Sequence, residues 1–219
     1  MSVTHSVSSA ADALHEVGGC RGVVWQLRAG ARWSLPAVEY ATSDARREGI
    51  TVVLADQGLN ICRNVVAGGA GGFRRAVGVD LLLLGECRPT QGRIGQWAMM
   101  ISAAGRRTLG IQVSQLKAVL EWLRQNHPAD PIGVVAVGRM AGLAALTSAA
   151  LYPGCCESVR VVGLEPSLKE LANVPVTYDE APSLFCFGLL EVADVADLIA
   201  LAAPCRVEMV EPATGPAAP

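Results

Sequence analysis

Residues 138–142 read Gly138-Arg139-Met140-Ala141-Gly142 and stand between the apolar run Ile132–Val137 and an Ala/Leu-rich stretch from 140 to 151. That is the strand–turn–helix setting of G-x-S-x-G, where small residues let a tight turn lift a nucleophile above a sheet. The glycines are in place, but Met140 stands where the serine would. A thioether has no proton to lose, so it cannot serve as the nucleophile. The three histidines, His5, His15 and His127, all precede this turn. A serine nucleophile needs an imidazole to take its proton and hand it to the leaving group. Glu208 and Glu211 stand late in the chain, where an acid would have no histidine to orient.

Other reactive types have bland readings close at hand. Asp56-Gln57-Gly58 follows the apolar run Ile50–Ala55, and backbone N–H groups in such a turn are candidates for the remnant of an oxyanion pocket. Ser167, after Glu165-Pro166, reads as a helix cap. Thr147 and Ser148 lie inside a buried helix, where a hydroxyl usually bonds a carbonyl one turn back. Asp80 reads as a tie for loop backbone. Cys155-Cys156 has no cation or helix N-terminus beside it in sequence to lower a thiol pKa, so it reads as inert.

The seven cysteines have no repeated spacing and no C-x-x-C, and they read as reduced, mostly buried small hydrophobes of a cytoplasmic protein. No metal site or cofactor is expected. The Gly-rich stretch 67–72 lacks both the G-K-S/T ending of a phosphate loop and the G-x-G-x-x-G register of a dinucleotide site. Trp97-Ala98-Met99-Met100-Ile101, an aromatic and Met stripe, reads as core packing, with pocket lining as the alternative.

The elements that must position these residues alternate in type, which implies an α/β layered domain. Strands are expected at 22–27, at 35–40 as a short neighbour with Pro36 suited to an edge, and at Ile50–Ala55. Further strands are expected at 76–82, Ile132–Val137, 159–164 and Arg206–Val210, the last as a central strand. The run 76–84, nearly all apolar, and the run 132–137 suggest strands covered on both faces. Leu109, Val113, Leu116, Leu120 and Leu123 trace one helical face within 109–125, ahead of Pro128. Helices are also expected over 140–151 and 192–203. Residues 1–19 read as an N-terminal extension, 20–211 as the domain and 212–219 as a Pro/Ala-rich tail in solvent.

Composition narrows the classes. The chain has 219 residues, 51% hydrophobic and 17% charged, with a formal net charge of −2. That balance excludes a disordered chain and gives no excess of cations for neutralising nucleic-acid phosphates. No apolar run reaches the roughly 18 residues that span a bilayer, and the Ser-rich start has no secretory h-region. A mean hydropathy of +0.35 with so few charges implies apolar surface, and hence a homodimer or protein partner.

With these residues in hand, the chain resembles the α/β-hydrolase superfamily, in its acetylxylan-esterase-like and dienelactone-hydrolase-like branch. The resemblance runs over about 35–210. It rests on 138–151 with the Ala-Ala-Leu-Tyr-Pro ending, on Leu109-Gly110-Ile111-Gln112-Val113 and on Leu120-Glu121-Trp122-Leu123. Val79-Asp80-Leu81-Leu82-Leu83-Leu84-Gly85-Glu86-Cys87 is similar to the family's D-x-R-G-x-G-E-S, with the Arg and Ser replaced. The resemblance implies a mainly parallel sheet with helices on both faces, and a Ser-acid-His triad in that chain order. Here Met140 replaces the Ser and no His follows the turn, so the resemblance implies a degenerate, C-terminally shortened hydrolase kept for structure, ligand binding or association. Two alternatives stand beside it: an esterase using displaced residues, such as Ser167 or Cys156 with His127, and an unrelated ligand-binding α/β domain.

Overall fold

The computed structural model describes residues 3–7, 16–17, 20–42, 48–67 and 73–211. The Gly-rich stretch 68–72, His15 and the tail 212–219 lie outside these. The described elements are β1 (Val3–Val7), β2 (Glu16–Val17), β3 (Cys20–Ala29), β4 (Trp33–Ala41), β5 (Ile50–Ala55), α1 (Asn60–Ala67) and β6 (Arg75–Val79). They continue with α2 (Ile94–Ala103), α3 (Thr108–Asn126), β7 (Ile132–Val137), α4 (Arg139–Leu151), β8 (Ser158–Val162), α5 (Leu189–Val192), α6 (Val195–Leu201) and β9 (Arg206–Val210).

One mixed sheet runs in the order β1-β3-β4-β6-β5-β7-β8-β9, with β2 paired to β3. Strands β6, β5, β7, β8 and β9 are parallel, and β1, β3 and β4 join them antiparallel. From β5 the chain goes to β6 on one side, then returns through α2 and α3 to β7 on the other. The connections leaving β5 and β7 therefore diverge, and a crevice opens at their carboxyl ends, where α/β sheets place ligands.

Helices α3 and α4 pack side by side on one face with α6 against α4, and seal the larger core around Leu54, Leu116, Leu120, Ile132 and Leu146. On the other face α1 covers β5 and β6 over a smaller core of Val53, Cys62, Val66 and Phe73. That helix is eight residues long, about 12 Å, and does not extend over the far strands. Accordingly β7 alternates buried and half-buried residues, and a depression of about 640 Å³ lies over Val135, Val162, Arg160 and Glu208. The expectation of two fully covered faces does not hold for β7.

Several other expectations give way for local reasons. Strand β4 is internal and not an edge. Pro36 fits because its carbonyl accepts the Asp80 N–H (3.1 Å) just beyond the last β6 pair, so its missing N–H faces past the end of that ladder. Strand β6 stops at Val79, because Gln112 and Gln115 of α3 clamp both polar groups of the Leu82 backbone (2.7 and 2.9 Å) and bend 80–84 into a turn. Leu83 there holds φ +61°, a conformation that favours glycine. Strand β9 is an edge strand of the described sheet. The 192–203 helix is split, with Asp194 capping α6. Sequence reasoning missed α1 and α2. Trp97, Met99 and Met100 on α2 are exposed, contrary to the core reading.

Candidate functional site

The crevice between β5 and β7 holds a cleft of about 570 Å³, lined by Asp56, Gln57, Ile61, Val137, Gly138, Arg139 and Glu180 among others. Its floor is the start of α4. The chain reaches it by a turn in which Gly138 has φ +107°, and a Cβ there would sit 2.4 Å from the Asp56 carboxyl carbon. Only glycine fits.

The Asp56 carboxylate fills the space so created. Its Oδ1 accepts the Ala141 N–H at 2.8 Å and its Oδ2 the Met140 N–H at 3.2 Å. The first turn of a helix presents unpaired N–H groups and a partial positive charge, and is a ready anion site. Here that site is taken by the chain's own carboxylate. Burial pushes the Asp56 pKa upward, opposed by these backbone bonds and by Arg88. Gly58 is buried by contact of two loops: its Cβ would lie 2.8 Å from the Gly85 Cα, while Gln57 stays exposed at the rim.

Met140 does not face the cleft. It is 1% exposed, a helical residue in the main core. The residue that reaches the cleft from the turn is Arg139, whose Nε donates to Glu165 Oε1 at 2.6 Å. Glu165 Oε2 is buried with no partner among the described atoms. Sequence reasoning named Arg139 within the turn and Glu165 ahead of a cap, and missed that the two pair at the cleft. The available signal was register: Met140, Leu143, Ala144 and Thr147 share one helical stripe, and Arg139 is the only charge in α4.

The displaced residues are not brought together. His127 caps α3 at the amino ends of the strands and faces Asp130, Arg74 and Arg75; burial and the two arginines lower its pKa. The six residues of β7 put about 20 Å between it and the cleft. Ser167 lies beyond the opposite end of β8, and its hydroxyl donates to Asp194 Oδ2 at 2.5 Å while accepting the Lys169 N–H. Cys156 is buried against two other sulfurs. Asp80 ties its loop as expected, Oδ2 accepting the Glu86 N–H at 2.7 Å, and burial lifts its pKa to about 6. The hydroxyls of Thr147 and Ser148 have no partner among the described atoms. Among the described residues no cluster of His, Cys, Asp or Glu is arranged to hold a metal ion, and no helix is long and apolar enough to cross a membrane.

Solved structures match this arrangement across the chain. A Bacteroides fragilis protein proposed to be an acetyl xylan esterase superposes with a TM-score of 0.70 at 12% identity, over 95% of this chain and 62% of that one. The fold is that of the α/β-hydrolases. An acetyl xylan esterase from Paenibacillus sp. matches this α/β-hydrolase fold with a TM-score of 0.61 at 12% identity, over 97% and 82% of the two chains. Acetyl xylan esterase 1 from Thermoanaerobacterium sp. gives 0.57 at 15%, over 94% and 71%. No protein-family model and no curated protein matches the sequence. At such identities the likeness carries the α/β-hydrolase fold and not an activity.

Proposed function

We propose that this α/β-hydrolase-like domain does not hydrolyse esters and that its cleft binds a small ligand. The observation that carries the reading is the Asp56 carboxylate on the Met140 and Ala141 N–H groups. Acyl transfer needs free donors where negative charge develops. A carboxylate already on these two N–H groups repels an oxyanion and denies it both donors. The thioether of Met140 lies in the core, and Arg139, which faces the cleft, offers only N–H donors. The carboxylates that line the cleft, Asp56 in its wall and Glu180 at its rim, are acceptors. A ligand bringing N–H or O–H donors, such as an amide or a polyol, suits it better than a carboxylate. The exposed Trp97, Met99 and Met100 on α2 support a role in association, and the seven free thiols support a cytoplasmic setting.

The test is p-nitrophenyl acetate turnover by wild type, Met140→Ser and Arg139→Ser against a heat-denatured control. All three are expected at background. Wild-type turnover near that of an ordinary esterase, about 10 per second, overturns the reading. In parallel, small amides and polyols are expected to raise the melting temperature of wild type more than matched carboxylates do.

A further inference from the structure

Three of the seven cysteines converge at the other end of the sheet from the cleft. Cys155 and Cys156 lie in the loop between α4 and β8, and Cys205 in the loop between α6 and β9, so the amino ends of two adjacent parallel strands bring them together. Cys156 Sγ lies 3.8 Å from Cys155 Sγ and 3.8 Å from Cys205 Sγ. Cys156 is buried, and Cys155 and Cys205 are half-buried. Cys155 opens onto a separate cleft of about 270 Å³ whose walls include Lys117 and Arg124. We propose that Cys155, Cys156 and Cys205 form a two-electron redox site, in which Cys155 reacts with hydrogen peroxide and the oxidation ends as a Cys156–Cys205 disulfide.

The other thiols differ in kind. Burial pushes the Cys62 and Cys87 pKa values up to about 12 each. Cys155 is held below the ordinary thiol value, first by its bond with Cys156, against the effect of burial and with help from Arg124. A partly exposed thiolate near a cation is the reactive form of cysteine; here the cation is Arg124, itself paired with Glu157, while Lys117 pairs with Glu121 in the same cleft. The sequence hid this because Arg124 stands on α3, 31 positions before Cys155.

The steps balance. The Cys155 thiolate attacks one peroxide oxygen and the O–O bond breaks. Hydroxide leaves and takes up a proton, and the sulfur, oxidised by two electrons, becomes a sulfenic acid. Cys156 is pushed far up chiefly by its bond to Cys155. Oxidation of Cys155 removes that thiolate, so Cys156 gives up its proton and attacks the Cys155 sulfur; the S–O bond breaks and water leaves. The resulting disulfide joins neighbouring residues, whose Cα atoms stand about 3.8 Å apart across a trans peptide, short of the roughly 4.4 Å that relaxed disulfides need. Cys205 then gives its proton to solvent and attacks Cys156, the strained S–S bond breaks, and Cys155 leaves as thiolate. Two thiols and one peroxide yield one disulfide and two waters.

The experiment treats folded wild type with one equivalent of hydrogen peroxide, alkylates the remaining thiols under denaturing conditions and maps the peptides. A Cys156–Cys205 cross-link is expected, with Cys20, Cys62, Cys87 and Cys186 alkylated. Cys155→Ser is expected to slow its formation at least tenfold, and Cys205→Ser to halt oxidation at a dimedone-reactive Cys155 or a Cys155–Cys156 bond. Conversion of Cys155 to sulfinic acid with Cys156 and Cys205 still free overturns the proposal, as does prior consumption of the other four thiols. The wild-type map decides even where a variant fails to fold.

Discussion

The two ends of the parallel strands carry opposite kinds of chemistry. At the carboxyl ends of β5 and β7, where the topology opens a crevice, the polar groups are largely committed to one another: Asp56 to the start of α4, Arg139 to Glu165. At the amino ends of β8 and β9, where the fold makes no standing provision for a ligand, three thiols meet without a disulfide between them. A crevice set by topology persists whether or not reactive groups occupy it, because the glycines and strand crossings that form it also hold the sheet together. Chemistry depends on side chains, and these have been satisfied by ion pairs and backbone bonds at one end and left as oxidisable thiols at the other.

The sharpest way to break the comparison is at Gly138. A Cβ there meets Asp56 at 2.4 Å, and the backbone is in a region that L side chains avoid. Gly138→Ala should lower stability by about 3 kcal/mol or more, strain and clash together. Urea unfolding measures it. A loss below about 1 kcal/mol would mean that the carboxyl-end turn is loose, not locked.

pH should also probe the carboxyl end. Burial raises the Asp80 pKa from 3.8 to about 6, so the folded state holds this proton more tightly than the unfolded state does. Its contribution is therefore most favourable below pH 4 and declines as pH rises through 6, by about 2–3 kcal/mol in all. Asp56, also raised, acts in the same direction. The urea midpoint of wild type from pH 4 to 7 should show this component, and Asp80→Asn should remove most of it. A profile unchanged by the substitution would refute the assignment.

How much of this was legible in the sequence follows from what each signal requires. The strands and α3, α4 are written in local apolar periodicity, and Ile50–Ala55 and Ile132–Val137 have the observed bounds. The crevice is legible too, since Gly138 and Gly142 bracket a turn after a core strand. The side chain that faces it is not, because a one-residue rotation of α4 exchanges Met140 for Arg139, and only tertiary packing fixes that rotation. Likewise Cys155-Cys156 looks inert beside Pro153-Gly154, since its cation and third sulfur come from α3 and from the approach to β9. The open face over β7 was hidden for a similar reason: an apolar strand reads alike whether its second face is covered or bare.

A smaller and more specific effect tests whether the carboxyl end is an anion site closed from within. Asp56→Ala removes the acceptor of the Met140 and Ala141 N–H groups, and loss of such a helix cap costs about 1–2 kcal/mol. It also frees two donors at the positive end of a 13-residue helix, beside a cavity that the missing carboxylate enlarges. Acetate should enter that cavity and restore part of the loss, about 0.5–1 kcal/mol at saturating concentration, as charge near a helix N-terminus does. Wild type, whose donors are occupied, should show no such gain beyond the general salt effect, for which chloride at equal ionic strength is the control. Thermal unfolding of both proteins in acetate and chloride measures the difference. Equal response in the two proteins would mean that Asp56 is a passive neighbour of α4 and not the group that closes its anion site.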